Sequence, residues 1–352
     1  MIKFIHIADV HLGAQPDAGK AYENRRAREL WESFERVLNL CNEEGIDLLL
    51  IAGDLFHAQP LLKELKEVDY LFSKLVKTQV VLIAGNHDHM KGSSFYHSFK
   101  WSANVFMIKD PIKETIEIPG LNLLVSGFSY HEREILIPQL KKLPALESSK
   151  NQILLLHGGD QKHVPFTKEM LRGLNYDYIA LGHIHKPEIV IAGKAAYAGA
   201  LEPIDRNDVG KHGYIYGELA KGKTKITFVP FAKRSYVNLD IKVNQSMTAY
   251  EMKDEVVKEI KELGVNNIFK VRLRGYRQEQ ISLDLTNFDT MGNIIDLMDD
   301  TRPFYNFEKL RKNNQDNIIG KFIEEFIDSD KESIEYEAMI QGITALMEAT
   351  RI

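Results

Sequence analysis

Residues 80–89 read Val80-Val81-Leu82-Ile83-Ala84-Gly85-Asn86-His87-Asp88-His89. Five apolar residues, rich in β-branched types, predict a strand buried on both faces. The strand stops at Gly85, and an amide, an imidazole and a carboxylate follow at once. Open α/β sheets carry their chemistry at the carboxyl ends of parallel strands, where loops present polar groups from a rigid base. The same pattern recurs along the chain. Lys3–Ala8 leads to Asp9-x-His11, and Asp47–Gly53 leads to Asp54. Gln152–Leu156 ends in His157, and Asp177–Gly182 ends in His183-x-His185.

Helices are expected between these strands, over 25–44 and 60–77, so the alternation argues a parallel or mixed α/β arrangement. Short strands are expected over 105–130 and a β-rich closing section over 189–231, with a hairpin around Lys221-Gly222-Lys223. Beyond about residue 240 the character changes. Helices are expected over 248–264, 290–298, 317–327 and 333–349, with a strand over 268–276. The domains expected are therefore 1–235, a smaller domain over 236–315 and a helical tail over 316–352.

At 352 residues and 44% hydrophobic content, the chain can bury a sizeable core. The single cysteine, Cys41, excludes an internal disulfide and suits a reducing, cytoplasmic setting. It falls on the apolar stripe of the first helix and is expected to be a core thiol, as His6 is expected to be a core histidine. No run approaches a membrane span, and no signal peptide is expected. A net charge of −5 argues against a globally basic nucleic-acid binder, leaving phosphate attraction to local patches or bound cations.

Asp9, His11, Asp54, Asn86, His157, His183 and His185 are carboxylate, amide and imidazole groups without a thiolate. This donor set suits a divalent ion such as Mn²⁺, Fe²⁺ or Zn²⁺. Seven ligands are too many for one ion but suit two ions sharing a carboxylate. A pair about 3.5–4 Å apart can activate water for in-line attack at phosphorus and neutralise charge on the phosphoryl oxygens. Gly53, Gly85 and Gly182 let the backbone turn sharply and come close to such ions.

Asp9-x-His11, Gly53-Asp54, Gly85-Asn86-His87-Asp88, His157 and Gly182-His183-x-His185 together resemble the motif set of the calcineurin-like metallophosphoesterases. Asp9-Val10-His11-Leu12-Gly13 and Gly53-Asp54-Leu55-Phe56-His57 further resemble the SbcD- and YhaO-type DNA repair exonucleases. The resemblance implies a four-layered α/β/β/α domain; the region beyond it, read from its own change of character, is expected to form a smaller α+β capping domain. The resemblance assigns Asp9, His11 and His185 to one metal, Asn86, His157 and His183 to the second, and Asp54 to a bridge, with Mn²⁺ the expected ion. His87 is implied as transition-state stabiliser or proton donor, with Asp88 orienting its ring. His57 is implied near the substrate, or as a structural residue.

The function implied is metal-dependent hydrolysis of DNA phosphodiester bonds in repair. The alternatives are a small-molecule phosphatase or cyclic-nucleotide phosphodiesterase, and a non-catalytic scaffold on the same fold. Expected partners are DNA, an SMC-like ATPase and a second copy in a homodimer, with no membrane. Strand alternation puts Lys270, Arg272 and Arg274 on one face, either as a phosphate-contacting stripe or as a solvated surface. Arg25, Arg26 and Arg28 are expected to be charged helix surface, with phosphate contact the other reading. The tail is read either as completing the second domain's core or as a helix-in-groove dock for the ATPase.

Overall fold

In the computed structural model, the five residues of the strand Leu48–Ala52 are all buried, on alternating faces. Leu49 and Ile51 point into one apolar layer, and Leu48, Leu50 and Ala52 into another. That double burial is what a continuous apolar run in a central strand requires. The structure describes residues 1–20, 22–220, 222–330 and 333–349.

Two units result, residues 1–237 and 238–352. The first begins with β1 (Ile2–Ile7), α1 (Glu23–Glu43), β2 (Leu48–Ala52), α2 (Leu62–Ser73), β3 (Gln79–Ile83) and β4 (Val105–Met107). β5 (Glu114–Ile118), β6 (Leu123–Gly127), β7 (Asn151–His157), α3 (Lys168–Gly173) and β8 (Tyr178–Gly182) follow. β9 (Glu188–Ile191), β10 (Ala195–Tyr197), β11 (Gly213–Ala220) and β12 (Lys223–Pro230) close it. The strands form two mixed six-stranded sheets, ordered β12-β11-β1-β2-β3-β4 and β5-β6-β7-β8-β10-β9. β11 and β12 pair antiparallel up to Ala220 opposite Lys223, as a hairpin requires; Lys221 lies outside the described residues.

The layers are α/β/β/α. α1 buries Leu30, Phe34, Val37, Leu38 and Cys41 on the first sheet's outer face, at the spacing of one helical stripe. Between the sheets, Phe4, Leu50 and Val81 meet Ile153, Leu155 and Ala180. The last layer is thin, with Leu171 of α3 and the loop residues Phe128, Tyr130 and Leu140 covering Leu154, Leu156, Ile179 and Leu181. His6 is buried in the core, its Nδ1 2.8 Å from the Tyr178 hydroxyl.

The strand β13 (Tyr236–Val243) leads into the second unit, which holds α4 (Ala249–Leu263), β14 (Ile268–Gln278) and β15 (Ile294–Phe304). Its end is α5 (Phe307–Asn313), α6 (Ile318–Phe326) and α7 (Ile334–Ala349). Thr248 and Glu251 close a reciprocal cap on α4, the Glu251 carboxylate accepting the Thr248 N–H at 2.7 Å. The sheet order is β13-β14-β15.

The helix expected over 290–298 is not formed. Ile294, Ile295 and Met298 have helical spacing, but the segment belongs to β15, parallel to β14 from Ile294 to Phe304. The free edge of β14 satisfies its backbone, so tertiary pairing overrides local periodicity. α6 and α7 form along the expected spans, and the last three residues of the expected tail lie outside the described ones. Ile319, Ile323, Met339, Ile340 and Ile343 cluster with Tyr305, so the tail helices bury their apolar stripes on one another and on the chain just before them.

Candidate metal centre

The carboxyl ends of β1, β2, β3, β7 and β8 bring the seven expected ligands together from both sheets. Gly53 and Asp54 carbonyls accept the Asp9 and His11 N–H groups at 3.2 and 3.1 Å, tying the first two loops to each other. Asp9, His11, Asp54 and His183 all adopt positive φ, at 49°, 51°, 50° and 92°. Non-glycine residues rarely hold such angles, and clusters of them mark functional sites where surrounding structure enforces the strain. Gly53 and Gly85 permit the close packing: an added Cβ would lie 2.4 Å from His157 Nδ1 and 2.2 Å from Asp54 Oδ1 respectively.

The donor atoms converge as metal ligands do. His11 Nε2 lies 3.1 Å from His185 Nε2, and Asn86 Oδ1 lies 2.8 Å from His157 Nε2 and 3.1 Å from His183 Nδ1. Two donors about 2.1 Å from one ion stand roughly 3.0–3.4 Å apart at tetrahedral or octahedral angles, so the two 3.1 Å separations fit shared coordination and the 2.8 Å one needs a slight opening. Asp9 groups with His11 and His185, and also with Asp54 and His157. Asp54 Oδ2 faces both groups, 3.3 Å from His157 Nε2 and 3.9 Å from His11 Nε2, while Oδ1 accepts the His87 N–H at 2.9 Å. One oxygen of Asp54 thus looks into the centre and the other is held by backbone. The residues present fit two ions, Asp9, His11 and His185 with one, Asn86, His157 and His183 with the other, and Asp54 between.

His87 lies at the rim, half-buried, with Nδ1 3.0 Å from the His57 carbonyl. That acceptor takes the Nδ1 proton, so Nε2 is the atom left for a substrate oxygen, to which it donates when the ring carries a second proton. The expectation that Asp88 orients this ring is corrected by the geometry. Asp88 is buried, and its oxygens accept the Gly85 N–H at 2.8 Å, the Tyr96 hydroxyl at 2.9 Å and the Phe56 N–H at 3.2 Å. It braces the β2 and β3 loops instead. His57 is exposed, with Nδ1 3.4 Å from His11 Nδ1, behind the ligand.

Three neighbours escaped the sequence reading. Asp160 Oδ2 lies 2.8 Å from His183 Nε2, His163 Nδ1 lies 2.9 Å from Asp160 Oδ1, and Asp208 Oδ2 lies 3.1 Å from His185 Nδ1. Acids in polar turns carry no periodic signal.

Lys270, Arg272 and Arg274 lie on β14 in the second unit, alternating with buried Val271 and Leu273. Arg272 Nε is 3.3 Å from Asp300, Arg274 is 3.4 Å from Asp240, and Lys270 stands in register with Asp296. The stripe is charge-matched by its flanking strands. Arg25 and Arg28 are exposed, as helix surface should be, but Arg26 is wholly buried, bonded to Glu29 at 2.8 Å and to the Pro203 carbonyl. It serves the fold, not a phosphate.

The metal-free cluster holds protons. Burial would depress the His157 imidazole, but Asp54, through its charge and hydrogen bond, and Asp9 outweigh this and hold it at about 9. His185 also stands at about 9, burial being outweighed by its Asp208 hydrogen bond and the carboxylates around it. Burial lifts Asp9 to about 6. Ligands must be deprotonated to bind a metal, so uptake releases these protons and tightens as pH rises. Between pH 6 and 8 the apparent Mn²⁺ affinity is expected to climb by roughly tenfold per pH unit for each proton released. Calorimetry in buffers of different ionisation enthalpy reads that release directly, and a pH-independent affinity would contradict it.

The family model described as calcineurin-like phosphoesterase matches residues 2–187. The uncharacterized metallophosphoesterase YhaO of Bacillus subtilis is 27% identical over 303 residues, 79% of this chain and 73% of its own. The DNA double-strand break repair protein Mre11 of Archaeoglobus fulgidus is 32% identical over 238 residues, 60% of this chain and 52% of its own. That of Methanopyrus kandleri is 26% identical over 229 residues, 58% and 49% respectively. The chain spans about half the length of these two archaeal relatives.

Proposed function

The chain belongs to the calcineurin-like phosphoesterase family, and from that premise we propose that it is a metal-dependent nuclease hydrolysing DNA phosphodiester bonds in repair. The observation that carries the reading is the convergence of all seven ligands, with the half-buried His87 beside them. Similarity to archaeal proteins named for DNA double-strand break repair supports DNA as the substrate.

When bound, two divalent ions, which we take to be Mn²⁺, supply Lewis acidity and lower the pKa of water. Asp54 keeps the two donor groups in one frame. His87, with its Nδ1–H fixed on the His57 carbonyl, donates to a phosphoryl or leaving oxygen through Nε2 when the ring carries its second proton. For Arg272 and Arg274, contact with phosphates competes with the Asp300 and Asp240 carboxylates that already face them.

The test is a metal screen over Mn²⁺, Mg²⁺, Fe²⁺ and Zn²⁺ with duplex DNA, single-stranded DNA and bis(p-nitrophenyl) phosphate. Mn²⁺-dependent DNA hydrolysis is expected. Hydrolysis of the small ester alone would favour a phosphatase or small-substrate phosphodiesterase, and no hydrolysis with ions bound would favour a scaffold.

The partner proposed is an SMC-like ATPase in the cytoplasm, docked on the tail. α6 and α7 bury their stripes on each other yet leave Ile318 and Ile334 exposed, at 65% and 84%. Truncation after Gln315 is expected to abolish co-purification with the ATPase while short single-stranded DNA is still hydrolysed. A sharp fall in melting temperature, with Tyr305 uncovered, would make the tail core instead.

A further inference from the structure

The two histidines of the Gly182-His183-x-His185 motif present opposite ring nitrogens to the centre. His183 directs Nδ1 towards Asn86 Oδ1, at 3.1 Å, and turns Nε2 away to Asp160 Oδ2, at 2.8 Å. His185 directs Nε2 towards His11 Nε2, at 3.1 Å, and turns Nδ1 away to Asp208, at 3.1 and 3.2 Å from its two oxygens. His157 is backed differently, its Nδ1 2.9 Å from the neutral Ala52 carbonyl.

A carboxylate can only accept from an imidazole N–H. In the neutral ring the proton is therefore held on Nε2 of His183 and on Nδ1 of His185, which leaves the nitrogen facing the centre as the one free for an ion. Both carboxylates are themselves fixed by backbone. Asp160 Oδ1 accepts the Lys162 and His163 N–H groups at 2.7 and 2.8 Å. Asp208 Oδ2 accepts those of Ile204 and Asp205 at 3.0 and 3.1 Å. Each is clamped in a tight turn, so it aims its histidine and does not follow it.

We propose that Asp160 and Asp208 are positioning residues, one for each metal: Asp208 sets His185 for the ion held with Asp9 and His11, and Asp160 sets His183 for the ion held with Asn86 and His157. This rests on the metal-centre part of the reading above and not on DNA as the substrate. Carboxylates behind ligating histidines fix tautomer and ring orientation and raise ligand basicity, and their loss costs about 10–100-fold in metal affinity. The two are not equal. The Asp160 side chain is 45% exposed and that of Asp208 11%. Solvent screens the first, so its effect lies near the lower bound and that of Asp208 near the upper.

In Asp208 the oxygen that holds the turn N–H groups also lies 3.1 Å from His185 Nδ1, so Asp208→Asn removes the charge and one of the two acceptors behind that ring; Asp160→Asn keeps one oxygen for its turn and places an NH₂ against the His183 imidazole. That NH₂ needs an acceptor, so it draws the ring into the other tautomer and puts a proton on the nitrogen facing the ion. Mn²⁺ is titrated calorimetrically into the metal-free full chain, with electron paramagnetic resonance reporting the spin-coupled pair.

The wild type should bind two ions. Asp160→Asn should weaken one binding event about tenfold and leave the other within about twofold. Asp208→Asn should weaken the complementary event by up to about 100-fold. Both variants should lose the coupled signal at limiting Mn²⁺ and regain it at high Mn²⁺, with the melting temperature of the metal-free protein unchanged. Equal weakening of both events by either variant, or no weakening, overturns the assignment. So does a wild type binding three ions of which Asp160→Asn loses one, because Asp160, His163 and His183 would then be ligands of their own site. Absence of DNA hydrolysis leaves these results untouched; a wild type that binds no pair of ions overturns the metal centre and this inference with it.

Discussion

Asp54→Asn is expected to abolish paired metal binding and with it turnover. The two oxygens of Asp54 are not equivalent. Oδ1 accepts the His87 backbone N–H at 2.9 Å, and Oδ2 faces His157 and His11. An asparagine must keep its oxygen on that N–H, since the reverse orientation would set two donors against each other in a buried site. Its NH₂ then occupies the Oδ2 position and presents protons, with no lone pair, to both ions. The charge at the one shared position is lost as well. The fall in kcat is expected to exceed the ~10²–10³ that follows removal of a single electrostatic donor, because both ions are affected. Metal content after dialysis checks it: one ion or none per chain is expected, and two retained ions with near-normal turnover would remove Asp54 from the bridge. Folding is a separate readout, since circular dichroism of the metal-free variant should match the wild type.

That the asymmetry of Asp54 is invisible in the sequence shows where reading a chain stops. The apolar runs of β1, β2, β3, β7 and β8 each end in a polar residue, and parallel strands put those ends on one edge, so the ligand set follows from local pattern. Which oxygen, which ring nitrogen and which neighbour lies behind it depend on contacts between segments far apart. Asp160 and Asp208 stand in turns where aspartate is expected for its own backbone hydrogen bonds, so their second use leaves no mark. Asp88 follows His87 in the chain, and adjacency suggested a partnership; the loop instead turns its side chain inward to Tyr96 and Phe56. Arg26 looks like any charged helix residue until Pro203, 177 residues away, closes over it. The helix expected over 290–298 failed for the same reason: an open strand edge, which no local window contains, decided the segment.

His87 should separate from the metals. Its hydrogen bond to Asp54 comes from the backbone N–H, and that group survives replacement of the side chain by alanine or glutamine. His87→Ala is therefore expected to retain two ions and lower turnover by about 10²–10⁴, the usual contribution of a positioned acid or base. The nature of the loss distinguishes a proton donor from a mere hydrogen-bond donor. With bis(p-nitrophenyl) phosphate the departing phenolate is stable and needs no proton, so the deficit should shrink. With DNA the departing oxygen is a sugar alkoxide that must be protonated, and the full deficit should appear. His87→Gln adds a second discriminant: it can donate a hydrogen bond but cannot transfer a proton at neutral pH. If His87 is a proton donor, glutamine should behave as alanine does on DNA. If glutamine restores turnover, the ring acts by stabilising charge alone. If either variant loses a metal ion, His87 is a ligand and the division between the ion-holding set and the group at its rim is wrong.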